Sequence, residues 1–281
     1  MINPQSITEQ LLFSTIKINT NNGSGTGFLF NFKDGENQYP VIITNKHVVE
    51  GSDIVNLSLH IGENGKPTND NLTINYPFHW IKHPKYDLCC AFFNPLVEGC
   101  KTQFGKDIFY IPFQEENIWS NIQLNDLKTM EDIVMIGYPT GLWDEAHNLP
   151  LFRKGVTSSH PVLNFNGKSE GVIDAACFPG SSGSPVCILN EGSYVDKLNN
   201  TIMGNVRFSL LGVLYAGPVY DAEGNINVRE IPTKQEVFSS THIMINLGYY
   251  IKASEILELK KEVLNFVKSG NKLIRKNLLR N

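Results

Sequence analysis

Residues 178–186 read FPGSSGSPV: three serines set among two glycines and two prolines. A serine hydroxyl is a weak nucleophile until a base takes its proton. Attack on a carbonyl also needs donors for the oxygen that turns negative. The turn Gly180-Ser181-Ser182-Gly183 has parts for both, because glycine lets the backbone turn sharply and brings N–H groups close to a substrate. In such a turn the N–H of a nucleophile and that of the residue two before it converge on one oxyanion. Ser182 is then the candidate nucleophile, with Gly180 and Ser182 as donors. A plain Gly/Ser turn between two strands would carry the same letters. The strand–elbow–helix motif G-x-S-x-G does not fit, since position 184 is Ser and the next run, SPVCIL (184–189), has no helical spacing. The stretch therefore speaks against an α/β-hydrolase fold.

The same strand-like texture extends in both directions. Short apolar runs bounded by Gly, Pro, Asn or Asp recur: GFLFNF (27–32), YPVIITN (39–45), IVNLSLHI (54–61), DLCCAFF (87–93), DIVMIGY (132–138), GVIDAAC (171–177), SLLGVLYAG (209–217) and HIMINLGYYI (242–251). Many short strands without helical patterns between them predict an all-β barrel or sandwich. Helices are expected only at the ends. Residues 6–16 form a short amphipathic one with Ser6 as N-cap. Residues 254–268 form the other, with Ser254 as N-cap and Gly270 as its stop. The last piece, NKLIRKNLLRN, carries Lys272, Arg275, Lys276 and Arg280 without an acid. It is expected to be a solvated helical tail docked by its leucines, the alternative being contact with an acidic partner or a lipid surface.

Composition narrows the function classes. With 281 residues, 41% hydrophobic and 19% charged, the chain can bury a core without staples. A net charge of -4 gives no global support to nucleic-acid binding. The five cysteines (Cys89, Cys90, Cys100, Cys177 and Cys187) contain no C-x-x-C pair, so spacing supports no structural zinc site, and no metal or cofactor is expected. The N-terminal residues lack a basic region followed by an apolar one, and no run is long enough to span a bilayer. Free thiols in a reducing, cytoplasmic setting are the expectation. The N-x-S/T triplets at Asn22, Asn56, Asn71 and Asn199 are then chance matches.

A base for Ser182 must come from seven histidines. His47 follows an apolar strand in VIITNKHVVEG, where an imidazole can be held rigidly and still face a cleft. His79 and His83 lie in a Pro-flanked loop. His60, His147, His160 and His242 have no comparable setting. A third group must fix the imidazole tautomer. Asp87 opens the apolar run DLCCAFF, where a carboxylate is costly without a partner, although an Asp capping a turn would look the same. The order His47, Asp87, Ser182, each at a strand boundary, is the pattern that singles them out.

At this point the sequence resembles the chymotrypsin-fold (trypsin-like) serine proteases, and within them the HtrA-like branch. GTGFLF with VIITNKHVV resembles the strand pair ending at the catalytic His, and YDLCCAFF the strand opened by the catalytic Asp. VMIGYPTGL (134–142) is similar to the start of the second barrel, GVTSS (155–159) to the next strand, DAACFPGSSGSPV (174–186) to the nucleophile loop and LLGVLYAG (210–217) to the strand lining the cleft. The resemblance implies two antiparallel β-barrels and a C-terminal helix. Residues 1–260 would be the protease unit, with barrels over roughly 15–125 and 126–252, and 253–281 a helical extension. It implies His47 as general base, Asp87 as its orienter, Ser182 as nucleophile, and the Gly180 and Ser182 N–H groups as the oxyanion hole.

Three departures stand out. Digestive relatives carry Asp before the nucleophile, where it pairs with a newly cut N-terminus; here that residue is Ser181, so another device must order the loop. No PDZ module is expected after the protease unit. Ser184 stands where the family often has Gly. Ala176, six before the nucleophile, and Cys177 would form the base of the primary pocket. Neither is charged, which implies cleavage after small or medium apolar residues. The backbone of Tyr215, Ala216 and Gly217 would pair with substrate as an added strand, and the Tyr215 side chain is equally a wall or core. A protein or peptide substrate is the expected partner, and an activating protein partner a further expectation. The alternative is a catalytically silent protease-fold module that binds extended peptides or a regulatory complex.

Overall fold

The structure, a computed structural model, describes the backbone of residues 1–52, 54–226, 237–244 and 246–278. The side chains of His242, Lys272, Arg275 and Lys276, and all of Arg280, lie outside the described parts. Helix α1 (Ile7–Leu11) is capped as expected: the Glu9 N–H donates to the Ser6 hydroxyl and the Ser6 N–H to the Glu9 carboxylate. It ends well short of residue 16. Strand β1 (Thr15–Thr20) takes the next segment, pairing with Gly23–Phe28. Ile16 and Ile18 are β-branched and buried, so the ladder overrides the helical spacing.

The first half of the chain builds one sheet. After β1 come β2 (Gly23–Asp34), β3 (Asn37–Thr44), the one-turn helix α2 (Lys46–Val49), β4 (Val55–Glu63), β5 (Lys66–Tyr76), β6 (Ile81–Lys82) and β7 (Cys89–Phe92). Their order is β5-β4-β1-β2-β3-β7-β6, with the short β8 (Asp107–Ile108) on β4 and β9 (Phe113–Gln114) on β2. The two ends of this path, β5 and β6, are consecutive in the chain, and the seam between them is not hydrogen-bonded into a ladder. Two helices interrupt the expected all-strand pattern. In α3 (Asn94–Phe104), Leu96 and Cys100 are buried one turn apart, and Gly105 ends it at φ 63°. Helix α4 (Asn121–Asn125) follows.

The second half closes. Strands β10 (Asp132–Gly137), β11 (Leu151–Thr157), β12 (Glu170–Asp174) and β13 (Pro185–Asn190) are followed by the hairpin β14 (Ser193–Val195) and β15 (Thr201–Met203). Then come β16 (Arg207–Ala216), the pair β17 (Val219–Ile226) and β18 (Val237–Met244), and β19 (Leu247–Lys252). The order β10-β11-β12-β19-β16-β13 is a closed antiparallel barrel. The run 242–251, expected to be one strand, is two: β18 ends at Met244, and Asn246 sits at φ 59° before β19.

One apolar cluster joins the halves. Phe28, Phe30 and Phe32 of β2 pack with Ile136, Cys187 and Val213 of the barrel and with Ile256, Leu259 and Val263 of the C-terminal helix α5 (Ser254–Leu278). Each of these three helix residues is fully buried, worth about 1.5–3 kcal/mol apiece. The helix passes through Gly270, the expected stop, which keeps helical backbone rather than the left-handed φ of a C-cap, and continues to Leu278.

Candidate active site

The strand order puts three chain segments at the junction of the halves. β3 runs buried to Thr44, and Asn45, fully buried, turns the chain into α2, so His47 leaves the sheet on a rigid single turn. Asp87 lies two residues before β7, the neighbour of β3. The His47 Nδ1 meets Asp87 Oδ2 at 2.5 Å, and the His47 backbone N–H donates to Asp87 Oδ1 at 3.2 Å. Asn45 Nδ2 donates to the Asp87 carbonyl at 2.7 Å, fixing the acid from its backbone side. Burial would raise the Asp87 carboxyl. The hydrogen bond and charge of the His47 ring, with the His47 and Lys46 N–H groups, outweigh it and hold the carboxyl below its ordinary value. The side chains keep 44% and 31% exposure, so the imidazole is open to a substrate.

Ser182 is half-buried at the tip of two linked turns. The Ser181 N–H donates to the Phe178 carbonyl and the Ser184 N–H to the Ser181 carbonyl, both at 3.0 Å. Gly180 (φ 89°) and Gly183 (φ 88°) supply the left-handed backbone these turns require. A side chain on Gly183 would collide with the Thr26 carbonyl and lie 2.6 Å from Thr44 Oγ1. The nucleophile loop is thus pressed against the end of the strand that leads to His47. Among the described residues the N–H groups of Gly180 and Ser182 donate to no protein acceptor, and no hydrogen bond joins His47 Nε2 to Ser182 Oγ. Ser181 is buried with an unpartnered hydroxyl, and so is Ser184.

The expected pocket residues also gather here. Cys177 is buried, and burial pushes its thiol up to about 11. A Cβ on Gly248 would lie 2.5 Å from Cys177 Sγ, and one on Gly217 3.8 Å from Cys177 Cβ. No motif in the sequence marks Gly248, which approaches Cys177 from β19. Ala176 is half-buried beside them. The pairing of β13 with β16 ends at Pro185–Val213, so Tyr215, Ala216 and Gly217 extend past it. Tyr215 is the bulged residue between Leu214 and Ala216 on the β19 side. Its ring packs on the core, and its hydroxyl, raised by burial first and then by the Glu170 carboxylate it hydrogen-bonds, stays protonated.

Three of the other histidines have structural settings. His83 is buried: its Nδ1 accepts the Lys85 and Tyr86 N–H groups, and its Nε2 lies 3.2 Å from Glu255 of α5. His79 stacks on Phe266. His60 is buried edge-on to Phe13. Among the described residues no group of three or more His, Cys, Asp or Glu is placed to hold a metal ion.

Residues 25–195, more than half of the chain, match the trypsin-like peptidase domain family. No curated protein matches the chain significantly. Among solved structures, one similar to it is Rv3671c from M. tuberculosis H37Rv in an inactive form, at 15% identity over 93% of this chain and 94% of that one, TM-score 0.43. The scabies mite inactivated protease paralogue S-I1 is similar at 12% identity, 91% and 96% coverage and TM-score 0.43. The thermostable serine protease AL20 from an extremophilic microorganism is similar at 15% identity, 89% and 96% coverage and TM-score 0.42. By its family match, the chain belongs to the trypsin-like peptidases and is a serine protease of the chymotrypsin fold.

Proposed function

We propose that the protein is a serine endopeptidase acting through His47, Asp87 and Ser182 and an acyl-enzyme intermediate. The observation that carries the reading is the 2.5 Å contact between His47 Nδ1 and Asp87 Oδ2. It leaves Nε2 as the ring atom that takes a proton from Ser182. Ser182 Oγ attacks the scissile carbonyl, and the Gly180 and Ser182 N–H groups receive the oxyanion. The imidazolium, stabilised by Asp87, returns its proton to the leaving amine, and water then releases the acyl group by the same steps.

The uncharged side chains of Ala176 and Cys177, half-buried and buried, support cleavage after small or medium apolar residues, with these two at the pocket base. The substrate would add as a strand along Tyr215, Ala216 and Gly217. The segments GTGFLF and VIITNKHVV support placement in the HtrA-like branch. Residues 1–260 would be the protease unit and 253–281 its helical extension. Five buried free thiols support a cytoplasmic setting. No described helix is long and apolar enough to cross a membrane.

A second reading, activation by a protein partner, is favoured by the missing hydrogen bond between His47 and Ser182, although such bonds often tighten only with substrate bound. A fluorophosphonate probe with mass-spectrometric site mapping separates the readings. Labelling of Ser182 in the isolated protein supports the peptidase. Labelling only after a partner is added supports the second reading, and no labelling under either condition supports a silent module.

A further inference from the structure

Ser181 leaves no acid beside the nucleophile, so the loop needs another hold. Each relevant carbonyl has one. The Pro179 carbonyl accepts the Thr140 N–H at 2.5 Å, and the Ser181 carbonyl accepts the Ser184 N–H. The Gly180 carbonyl accepts the Thr26 hydroxyl at 2.9 Å, and the Ser182 carbonyl accepts the Thr26 N–H at 2.9 Å. In a trans peptide the C=O and N–H point opposite ways. The Pro179 and Ser181 carbonyls share their peptides with the Gly180 and Ser182 N–H groups, so the Thr140 and Ser184 N–H donors turn those two groups the other way. The Gly180 and Ser182 carbonyls that Thr26 holds belong to the adjoining peptides and fix the turns on which the two donors sit.

Thr26 is fully buried, and all of its polar atoms are engaged. Its hydroxyl accepts the Tyr138 N–H at 3.1 Å while donating to Gly180, and its carbonyl accepts the Thr44 hydroxyl at 2.7 Å. It thus joins the β3 end before His47, the β10 end before Tyr138, and the nucleophile loop. Gly137 keeps this place open, since a Cβ there would strike Ser184 Oγ and lie 2.7 Å from Thr26 Oγ1.

We propose that Thr26 is a positioning residue whose hydroxyl and backbone N–H hold the Gly180 and Ser182 carbonyls, keeping the oxyanion loop in its working shape without an acid–amine pair. The inference rests on the serine-peptidase reading above. Thr26→Val keeps the shape and the backbone donor but removes the hydroxyl, Thr26→Ala leaves space, and Thr26→Ser restores the hydroxyl. The expected result is a fall in kcat of about 10–100-fold for Val and Ala with KM within threefold, a parallel loss of affinity for a peptide boronate, and recovery to within threefold for Ser, since a misdirected oxyanion donor is felt in the transition state. Thermal melting establishes which variants are folded. A folded Val or Ala variant with wild-type kcat and wild-type fluorophosphonate labelling overturns the role while leaving the peptidase reading intact. Equal losses in all three variants, tracking their melting temperatures, overturn it as well. A wild type that neither labels nor cleaves, alone or with partners, overturns the peptidase reading and the Thr26 role together.

Discussion

His47 grips Asp87 at two points, its Nδ1 on one carboxylate oxygen at 2.5 Å and its backbone N–H on the other at 3.2 Å. The chain contains a second pair of the same form: His147 meets Asp144 at 2.7 Å through Nδ1 and 3.1 Å through N–H. The second pair is a local i, i+3 contact on an exposed loop, whereas the first joins two strands' ends across 40 residues. Asp87→Asn should reverse the tautomer preference of His47 and lower kcat/KM by about 10³–10⁴-fold at neutral pH. Asp144→Asn should leave it within twofold. Steady-state hydrolysis of a fluorogenic peptide checks both, and equal effects of the two substitutions would refute the assignment.

Ser182→Ala should abolish cleavage and fluorophosphonate labelling, leaving only the small residual rate that binding and oxyanion donors supply. Ser181→Ala removes a buried hydroxyl that has no partner, so it should keep most of the activity and not lower the melting temperature. A dead Ser181→Ala beside an active Ser182→Ala would exchange their roles.

His60 is buried, and burial holds its imidazole down at about 4 against the ordinary 6.5. The unfolded chain therefore binds a proton between these values that the folded chain refuses. The stability this neutral histidine contributes is complete above pH 6.5 and is lost as pH falls toward 4. The span corresponds to at most about 3 kcal/mol at 1.36 kcal/mol per pKa unit. His83, lowered chiefly by burial and partly restored by Glu255, acts in the same direction. Urea unfolding at pH 4.5 and 7 should show a smaller acid loss in His60→Phe than in the wild type. An unchanged pH dependence would show that His60 does not titrate with folding.

All five cysteines are buried, and burial raises the thiols of Cys89, Cys90, Cys100, Cys177 and Cys187. Iodoacetamide at pH 8 should leave the native protein unmodified and alkylate all five after denaturation. Rapid native alkylation of Cys177 would place it in an open cleft. Cys177→Ala should shift peptide-library preference toward larger residues at the cleaved position, whereas Gly248→Ala, whose Cβ would strike Cys177 Sγ and Leu214 Cδ1, should lower the melting temperature.

The all-β character, the Ser6 cap, most of the strand runs and the chain order of His47, Asp87 and Ser182 were legible from the residues alone, the run 242–251 being the strand that divides. These depend on features a few residues long: alternating burial, turn residues and strand ends. The sequence did not show β5, whose polar run lies at one end of the sheet path, or that the C-terminal helix passes Gly270. Nor did it decide whether Tyr215 faces core or cleft, which a bulge against β19 settles toward the core. Only the tertiary structure brought Gly248 to Cys177 and the Thr26 hydroxyl to the Gly180 carbonyl, 154 positions away. Spacing along a chain carries no trace of such contacts, because they exist only where two sheets built from distant parts of the chain pack together and their buried polar groups must find partners.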